Sequence, residues 1–163
     1  MAKTELDFLY IIAGETSYRD NHFLSAYDQE TKKLREKGRA LLGERVRLYG
    51  PVENPKELYQ IADVFLLGSL MEGTPNVLLE AMSCGLPVLC RHLEGLSNYL
   101  VFEGENGYIF WDHDTFLKGF RLLYSNPGNC IRFGEYSRKI IEDNHSFERF
   151  YKSVFLNENL QTK

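Results

Sequence analysis

Residues 64–91 read VFLLGSLMEGTPNVLLEAMSCGLPVLCR, and the order of residue types in this stretch decides the fold. Val64 to Gly68 is a short apolar run closed by a glycine, which reads as a strand. Small and polar residues follow, and Gly73 and Thr74 then precede Pro75. That arrangement predicts a helix over Pro75 to Cys84, with Thr74 as its cap and Pro75 in its first turn, where a missing N–H costs nothing. Gly85 suits the end of that helix. Pro87 suits the start of the next strand, Pro87 to Arg91.

Working outward, the same alternation recurs. Towards the N-terminus, Phe8 to Ala13 is a continuous apolar run ended by Gly14, as expected of a strand buried on both faces of a parallel sheet. Phe23 to Leu42 spaces Leu24, Tyr27, Leu34, Leu41 and Leu42 among many charges, which predicts a surface helix ended by Gly43. Val46 to Tyr49 reads as a strand, and Lys56 to Ala62 as a short helix after Pro55. Towards the C-terminus come a helical turn near Leu96 to Val101, a strand at Gly107 to Phe110, and helices near Thr115 to Tyr124 and Arg132 to Asn144. Strands alternating with helices imply right-handed crossovers, hence an α/β fold with a parallel sheet and helices on both faces. The last segment, Ser146 to Asn159, puts Phe147, Phe150, Tyr151 and Val154 at helical spacing. Its aromatic face packs on the same sheet or meets a second domain or subunit.

The 163 residues, 44% hydrophobic and 26% charged, suit one soluble domain. A net charge of −4 gives no reason to expect nucleic acid as a partner, since a phosphate backbone calls for a clustered basic surface. Cys84, Cys90 and Cys130 match neither a redox pair nor a zinc set, so a reduced, cytoplasmic protein is expected. The basic stretch Lys32 to Arg47 invites a reading as a surface for anionic lipid, but the intervening Glu36 and Glu44 favour a solvated helix.

The candidate site is the entry to the helix at Pro75. The carboxyl edge of a parallel sheet is where ligands of open α/β folds bind. Free amides around Asn76 and Val77, with the Gly73 backbone, favour an anion such as a diphosphate. Glu72 lies just before the helix, and Glu80 lies six residues after Thr74, roughly 9 Å further along at helical rise. Two carboxylates at different depths of one groove suit an extended polyhydroxyl ligand, because each accepts two hydroxyl hydrogen bonds. The plainer readings are a helix-dipole partner for Glu72 and a solvated face for Glu80. The apolar neighbours Val77, Leu78, Ala81 and Met82 make an exposed face less natural for the latter.

This segment resembles the glutamate-x7-glutamate signature of the retaining glycosyltransferases of GT-B architecture, the glycosyl transferases group 1. The likeness is carried by Glu72, Gly73, Pro75, Glu80, Ala81, Met82, Gly85, Pro87 and Val88. VRLYGPV, then Leu58, Tyr59, Ala62, Asp63 and Ser69, and the run Glu103 to Gly107 agree with it. The resemblance covers Phe8 to Phe155 and implies a Rossmann-like donor-binding half-domain, spanning 1–163 as one domain. It implies that Glu80 holds the ribose hydroxyls of a nucleotide-sugar and that Glu72 is the catalytic contact to the transferred sugar. Gly73, Thr74, Pro75, Asn76 and Val77 would line the sugar and diphosphate, and Gly50, Pro51 and Val52 the base. No cofactor and no metal are expected; Asp112-His113-Asp114 reads as a helix-capping turn.

Departures from the family pattern carry expectations too. The chain starts too late to include the family's first strand with its basic Arg and Lys pair; Lys3 is not in that context. Arg91 and His92 are candidate phosphate contacts that match no family position. The usual Gly-Gly and glutamate appear as Glu94-Gly95 and Asn98, which leaves the donor open. The acceptor-binding N-terminal domain is expected on a missing segment or a separate chain, so the isolated polypeptide is expected to be inactive. The acceptor is a glycan, a lipid or a small molecule, and a membrane-borne acceptor would bring the protein to the cytosolic membrane surface. The competing class is a non-catalytic domain of the same fold that holds a protein partner. A flavodoxin-like or response-regulator domain is disfavoured, because no acidic cluster or flavin phosphate loop follows the first strand.

Overall fold

A computed structural model describes residues 6–14, 25–73, 75–95 and 99–145. The chain divides into two compact units, one up to Pro55 and the other from Lys56 onward.

The first unit holds two short parallel strands, β1 (Tyr10–Ile12) and β2 (Val46–Leu48), joined through helix α1 (Ser25–Leu42) and a 3-10 turn at Gly43–Arg45. The pairing continues past the strands, with the Tyr49 N–H donating to the Ile12 carbonyl and the Gly14 N–H to the Gly50 carbonyl. Phe8 to Ala13 is therefore extended, as its composition predicts, but it is not buried on both faces. Leu9 and Tyr10 are exposed, and of this unit's described residues only Val46 is fully buried. Leu34 and Leu41 on α1 are exposed as well, in keeping with a surface helix. The side chains of Leu24 and Tyr27 lie outside the described residues.

The second unit carries the main core. After α2 (Pro55–Ile61) come β3 (Phe65–Leu67), α3 (Asn76–Ser83), β4 (Val88–Arg91), β5 (Gly107–Phe110), α4 (His113–Ser125) and α5 (Pro127–His145). β3, β4 and β5 form a parallel sheet in that order. Side chains alternate across it as period-two geometry requires. Leu67, Val88, Cys90 and Ile109 pack on one face with Leu78 and Met82 of α3 and Ile140 of α5. Leu89 and Phe110 pack on the other face with Phe116, Phe120 and Leu123 of α4 and Phe133 of α5. Both faces are thus covered by helices, the Rossmann-like α/β arrangement. Each fully buried Leu or Met here stabilises the fold by roughly 2 kcal/mol.

Two glycines set how closely the helices approach. A Cβ at Gly119 would lie 2.8 Å from the Leu89 Cδ1 and 3.1 Å from the Tyr108 Cβ, so a larger residue there would push these side chains aside where α4 meets the sheet. A Cβ at Gly134 would collide with the Gly85 carbonyl oxygen, which ties α5 to the end of α3. α3 itself ends in a Schellman turn: Gly85, at φ +79, donates to Met82, and Leu86 donates to Ala81.

The segment before β5 is clamped. Buried Asn106 accepts from the Phe102 N–H at 2.7 Å and donates to the Leu100 carbonyl at 2.9 Å. The Glu103 carboxylate accepts from the Ile109 N–H at 2.7 Å. In this sheet order β5 is an edge strand, so Glu103 satisfies a backbone donor that β4 does not reach.

The starts of α4 and α5 differ from the sequence reading. α5 starts at Pro127 rather than near Arg132, because a proline at the first helical position loses no hydrogen bond there. α4 starts at His113 through a reciprocal capping box, with the Thr115 N–H donating to the Asp112 carboxylate at 2.9 Å and the Asp112 N–H to the Thr115 hydroxyl at 3.1 Å. The Asp112-His113-Asp114 turn is a helix cap, as its residue types predict. Leu96 to Asn98 and Ser146 to Asn159 lie outside the described residues.

Candidate functional site

Because β3, β4 and β5 run parallel in register, their last residues, Leu67, Arg91 and Phe110, deliver the chain to one edge of the sheet. The loop after β3 is open to solvent. Leu70 and Met71 are 78% and 86% exposed, and Glu72 and Gly73 are exposed beside them. Thr74 lies outside the described residues.

The entry to α3 corrects the sequence reading by one residue. Pro75, buried and extended at φ −75 and ψ 96, is itself the N-cap, and the helix begins at Asn76. The Pro75 carbonyl accepts from Leu78 at 2.9 Å, so the missing N–H of proline falls outside the helix and its carbonyl starts the hydrogen-bond ladder. The amides of Asn76 and Val77 have no intrahelical acceptor, as in any first turn. Both residues are exposed, so the positive end of the α3 dipole faces solvent.

Glu80 sits one turn further on. Leu78, Ala81 and Met82 turn into the core, and Glu80 is exposed on the opposite side. The apolar neighbours in sequence therefore do not hide it; helical geometry sends them the other way. Its Oε2 accepts from the Tyr59 hydroxyl of α2 at 3.0 Å. Burial first, and then the hydrogen bond to Glu80 and that residue's negative charge, raise the Tyr59 hydroxyl well above the ordinary phenol range. Tyr59 is accordingly a protonated donor throughout the neutral range. Glu72, by contrast, makes no hydrogen bond or ion pair with any described residue.

Arg91 closes β4, and His92 follows it with its N–H donating to the Phe110 carbonyl at 2.7 Å. The His92 ring stacks on Trp111 at a centroid separation of 5.4 Å and an interplanar angle of 21°. Both residues thus stand at the same sheet edge as the Glu72 loop, with the imidazole engaged by the indole. Gly50, Pro51 and Val52 follow β2 in the first unit; Gly50 and Pro51 are exposed and Val52 half-buried. The sequence pattern did not single out two features of the second unit: the Tyr59 contact to Glu80 and the His92–Trp111 stack. Each joins residues from different elements, and neither has a local spacing signal.

Two depressions of the second unit are lined by neither acid. One, of about 370 Å³, is bordered by Lys56, Gln60, Ser83, Cys84, Arg138 and Glu142. The other, of about 230 Å³, is bordered by Glu105, Arg132, Glu135, Tyr136 and Lys139. Both are shallow and wide open, unlike the concave sites that enclose small ligands. Helix polarity and carboxylate placement therefore guide the assignment better than concavity does. Among the described residues no group of three His, Cys, Asp or Glu side chains is placed to hold a metal ion. No described helix is long and apolar enough to cross a membrane.

The family described as glycosyl transferases group 1 matches residues 1–140. An uncharacterized glycosyltransferase of Haemophilus influenzae is 28% identical over 118 residues, 71% of this chain and 33% of that protein. Among solved structures, Anabaena HepE in complex with UDP superposes with a TM-score of 0.79 at 18% identity, covering 96% of this chain and 42% of that one. Sucrose-phosphate synthase from Thermosynechococcus elongatus gives 0.72 at 20% identity, covering 90% of this chain and 38% of its own. The chain thus spans about a third of the length of that Haemophilus relative. These likenesses do not favour a non-catalytic protein-binding module. The chain belongs to the glycosyl transferases group 1 family.

Proposed function

Proceeding from that membership, we propose that the chain is the nucleotide-sugar-binding part of a retaining glycosyltransferase that moves a hexose onto a glycan, lipid or small-molecule acceptor. The observation that carries the reading is the pairing of an exposed Glu72, in the loop after β3 and without a partner among the described residues, with an exposed Glu80 on the helix that follows, anchored by Tyr59. That Anabaena HepE was solved with UDP, on the same fold, supports a nucleoside diphosphate donor.

In this reading Glu80 accepts hydrogen bonds from the two ribose hydroxyls, and Glu72 contacts the sugar that is transferred. The Gly73, Asn76 and Val77 amides, with Pro75 setting the start of the helix, face the diphosphate. Preorganised donors of this kind stabilise charge as it develops on the leaving group. Arg91 adds positive charge from the neighbouring strand end, with His92 beside it. No metal or organic cofactor takes part. Transfer needs a closed cleft that excludes water, with the acceptor held on a domain outside these 163 residues or on another chain. The chain binds its donor in the cytoplasm or at the cytosolic membrane surface.

The test is a thermal-shift screen followed by titration. A nucleoside diphosphate that binds only the folded chain raises its melting temperature. Among UDP, GDP and their sugar conjugates, one series is expected to do so, and Glu80→Ala is expected to weaken it by about tenfold or more, the worth of charge-assisted bonds to two hydroxyls. Equal affinity in the parent and Glu80→Ala proteins would remove the assignment.

A further inference from the structure

In the donor site proposed above, Glu80 has a task that a free glutamate performs poorly. A carboxylate on three rotatable bonds, standing on an exposed helix face, samples many orientations, and a vicinal diol is grasped well by only a few of them. α2 supplies a constraint that the sequence signature of the loop does not include. The Tyr59 hydroxyl reaches across from α2 to Glu80 Oε2 at 3.0 Å. Its ring is held in turn edge-on by Phe65, with centroids 6.0 Å apart at 71°. Phe65 belongs to β3 and packs against the core cluster that contains Leu78 and Met82 of α3. A rigid path therefore runs from the core through Phe65 and Tyr59 to one oxygen of the carboxylate.

We infer that Tyr59 is a positioning residue for Glu80, fixing its carboxylate so that the remaining lone pairs meet the ribose hydroxyls of a nucleoside diphosphate; this rests on the role proposed for Glu80. The stoichiometry permits it. An ionised carboxylate has about four acceptor positions, Tyr59 takes one, and a diol needs two. Ser83 does not compete, since its hydroxyl donates to the Glu80 backbone carbonyl at 2.7 Å and leaves the side chain alone. A phenol is protonated at neutral pH, and burial with the Glu80 contact raises the Tyr59 ionisation further, so its hydroxyl stays a donor to the carboxylate.

The experiment titrates UDP and GDP calorimetrically against the full chain and its Tyr59→Phe, Glu80→Ala and doubly substituted forms, and repeats each titration with the dideoxyribose analogues, which lack both ribose hydroxyls. Phenylalanine preserves the ring contact with Phe65, so only the hydroxyl is lost. Tyr59→Phe is expected to weaken the ribonucleotide roughly three- to tenfold, to leave the dideoxy analogue unchanged, and to add nothing in the Glu80→Ala background. Unchanged ribonucleotide affinity in Tyr59→Phe, with loss in Glu80→Ala, overturns the positioning role and spares the donor site. The positioning role falls equally if Tyr59→Phe weakens both nucleotides alike or adds fully to Glu80→Ala, since that marks general support of the fold. Absence of binding by the parent chain, or full affinity in Glu80→Ala, overturns the donor site and this inference with it.

Discussion

The dipeptide Glu-Gly occurs three times, and two of the copies, at 72–73 after β3 and at 103–104 before β5, are used in opposite ways. At Glu103 the carboxylate is spent on the protein itself, accepting from Ile109, while Gly104 takes a φ of +76 that a side chain would resist. Asn106 completes the clamp from within the core. At Glu72 the carboxylate has no partner among the described residues, and the loop around it exposes Leu70 and Met71. An acid that folding leaves unengaged is available to a ligand; one that closes an edge strand is not. The same two letters thus distinguish a candidate binding group from a structural one only through what surrounds them.

The contrast can be broken most severely at Asn106. Asn106→Ala strands the Leu100 carbonyl and the Phe102 N–H in a buried site, and unfolding in urea should show a loss of about 2–4 kcal/mol. Glu103→Ala removes one bond from a partly exposed group and should cost about 1 kcal/mol by the same measurement, with the β5 amides losing protection from hydrogen exchange. A smaller, pH-dependent effect is expected at Asp112. Its hydrogen bonds from Thr115, side chain first and backbone next, lower its ionisation point below the usual carboxylate value. A depressed folded-state value means that the stabilisation is present above the unfolded carboxylate range, near pH 4. It is lost as the pH falls through the folded-state value. Asp112→Asn should flatten that acid limb of the melting-temperature profile and leave the neutral plateau nearly unmoved. Smallest of all is Glu72→Gln, which should shift stability by no more than about 0.5 kcal/mol, while weakening binding of a nucleotide-sugar more than that of the bare nucleotide. A Glu72→Gln protein as unstable as Glu103→Ala would erase the distinction between the loops.

Much of this architecture was legible in the residues alone. Val64 to Gly68 and Pro87 to Arg91 are short, mostly apolar runs on either side of a helix whose start Pro75 marks, which is the pattern of parallel strands. Gly85 and Asp112 announced their turns because each has a local chemical reason to be there. The errors have equally local causes. Phe8 to Ala13 is apolar enough for a central strand, yet apolarity does not say how much of a segment is covered, and Leu9 and Tyr10 remain exposed. Arg132 to Asn144 carries the clearer periodicity, which hid a first turn begun by Pro127. Glu80 was harder to place, because Leu78, Ala81 and Met82 crowd it in sequence while rotating away from it in space. Its hydrogen bond to Tyr59 joins residues 21 apart in sequence, and no spacing rule reaches that far.

The core that separates the two sheet faces also decides the reactivity of a thiol. Cys90, at the middle of β4, is buried, and that burial pushes its ionisation up to about 11. At neutral pH it is scarcely a thiolate and no reagent reaches it, so its alkylation clocks the opening of the central strand. The protein therefore carries a chemical timer for its own breathing, one that a bound donor should slow.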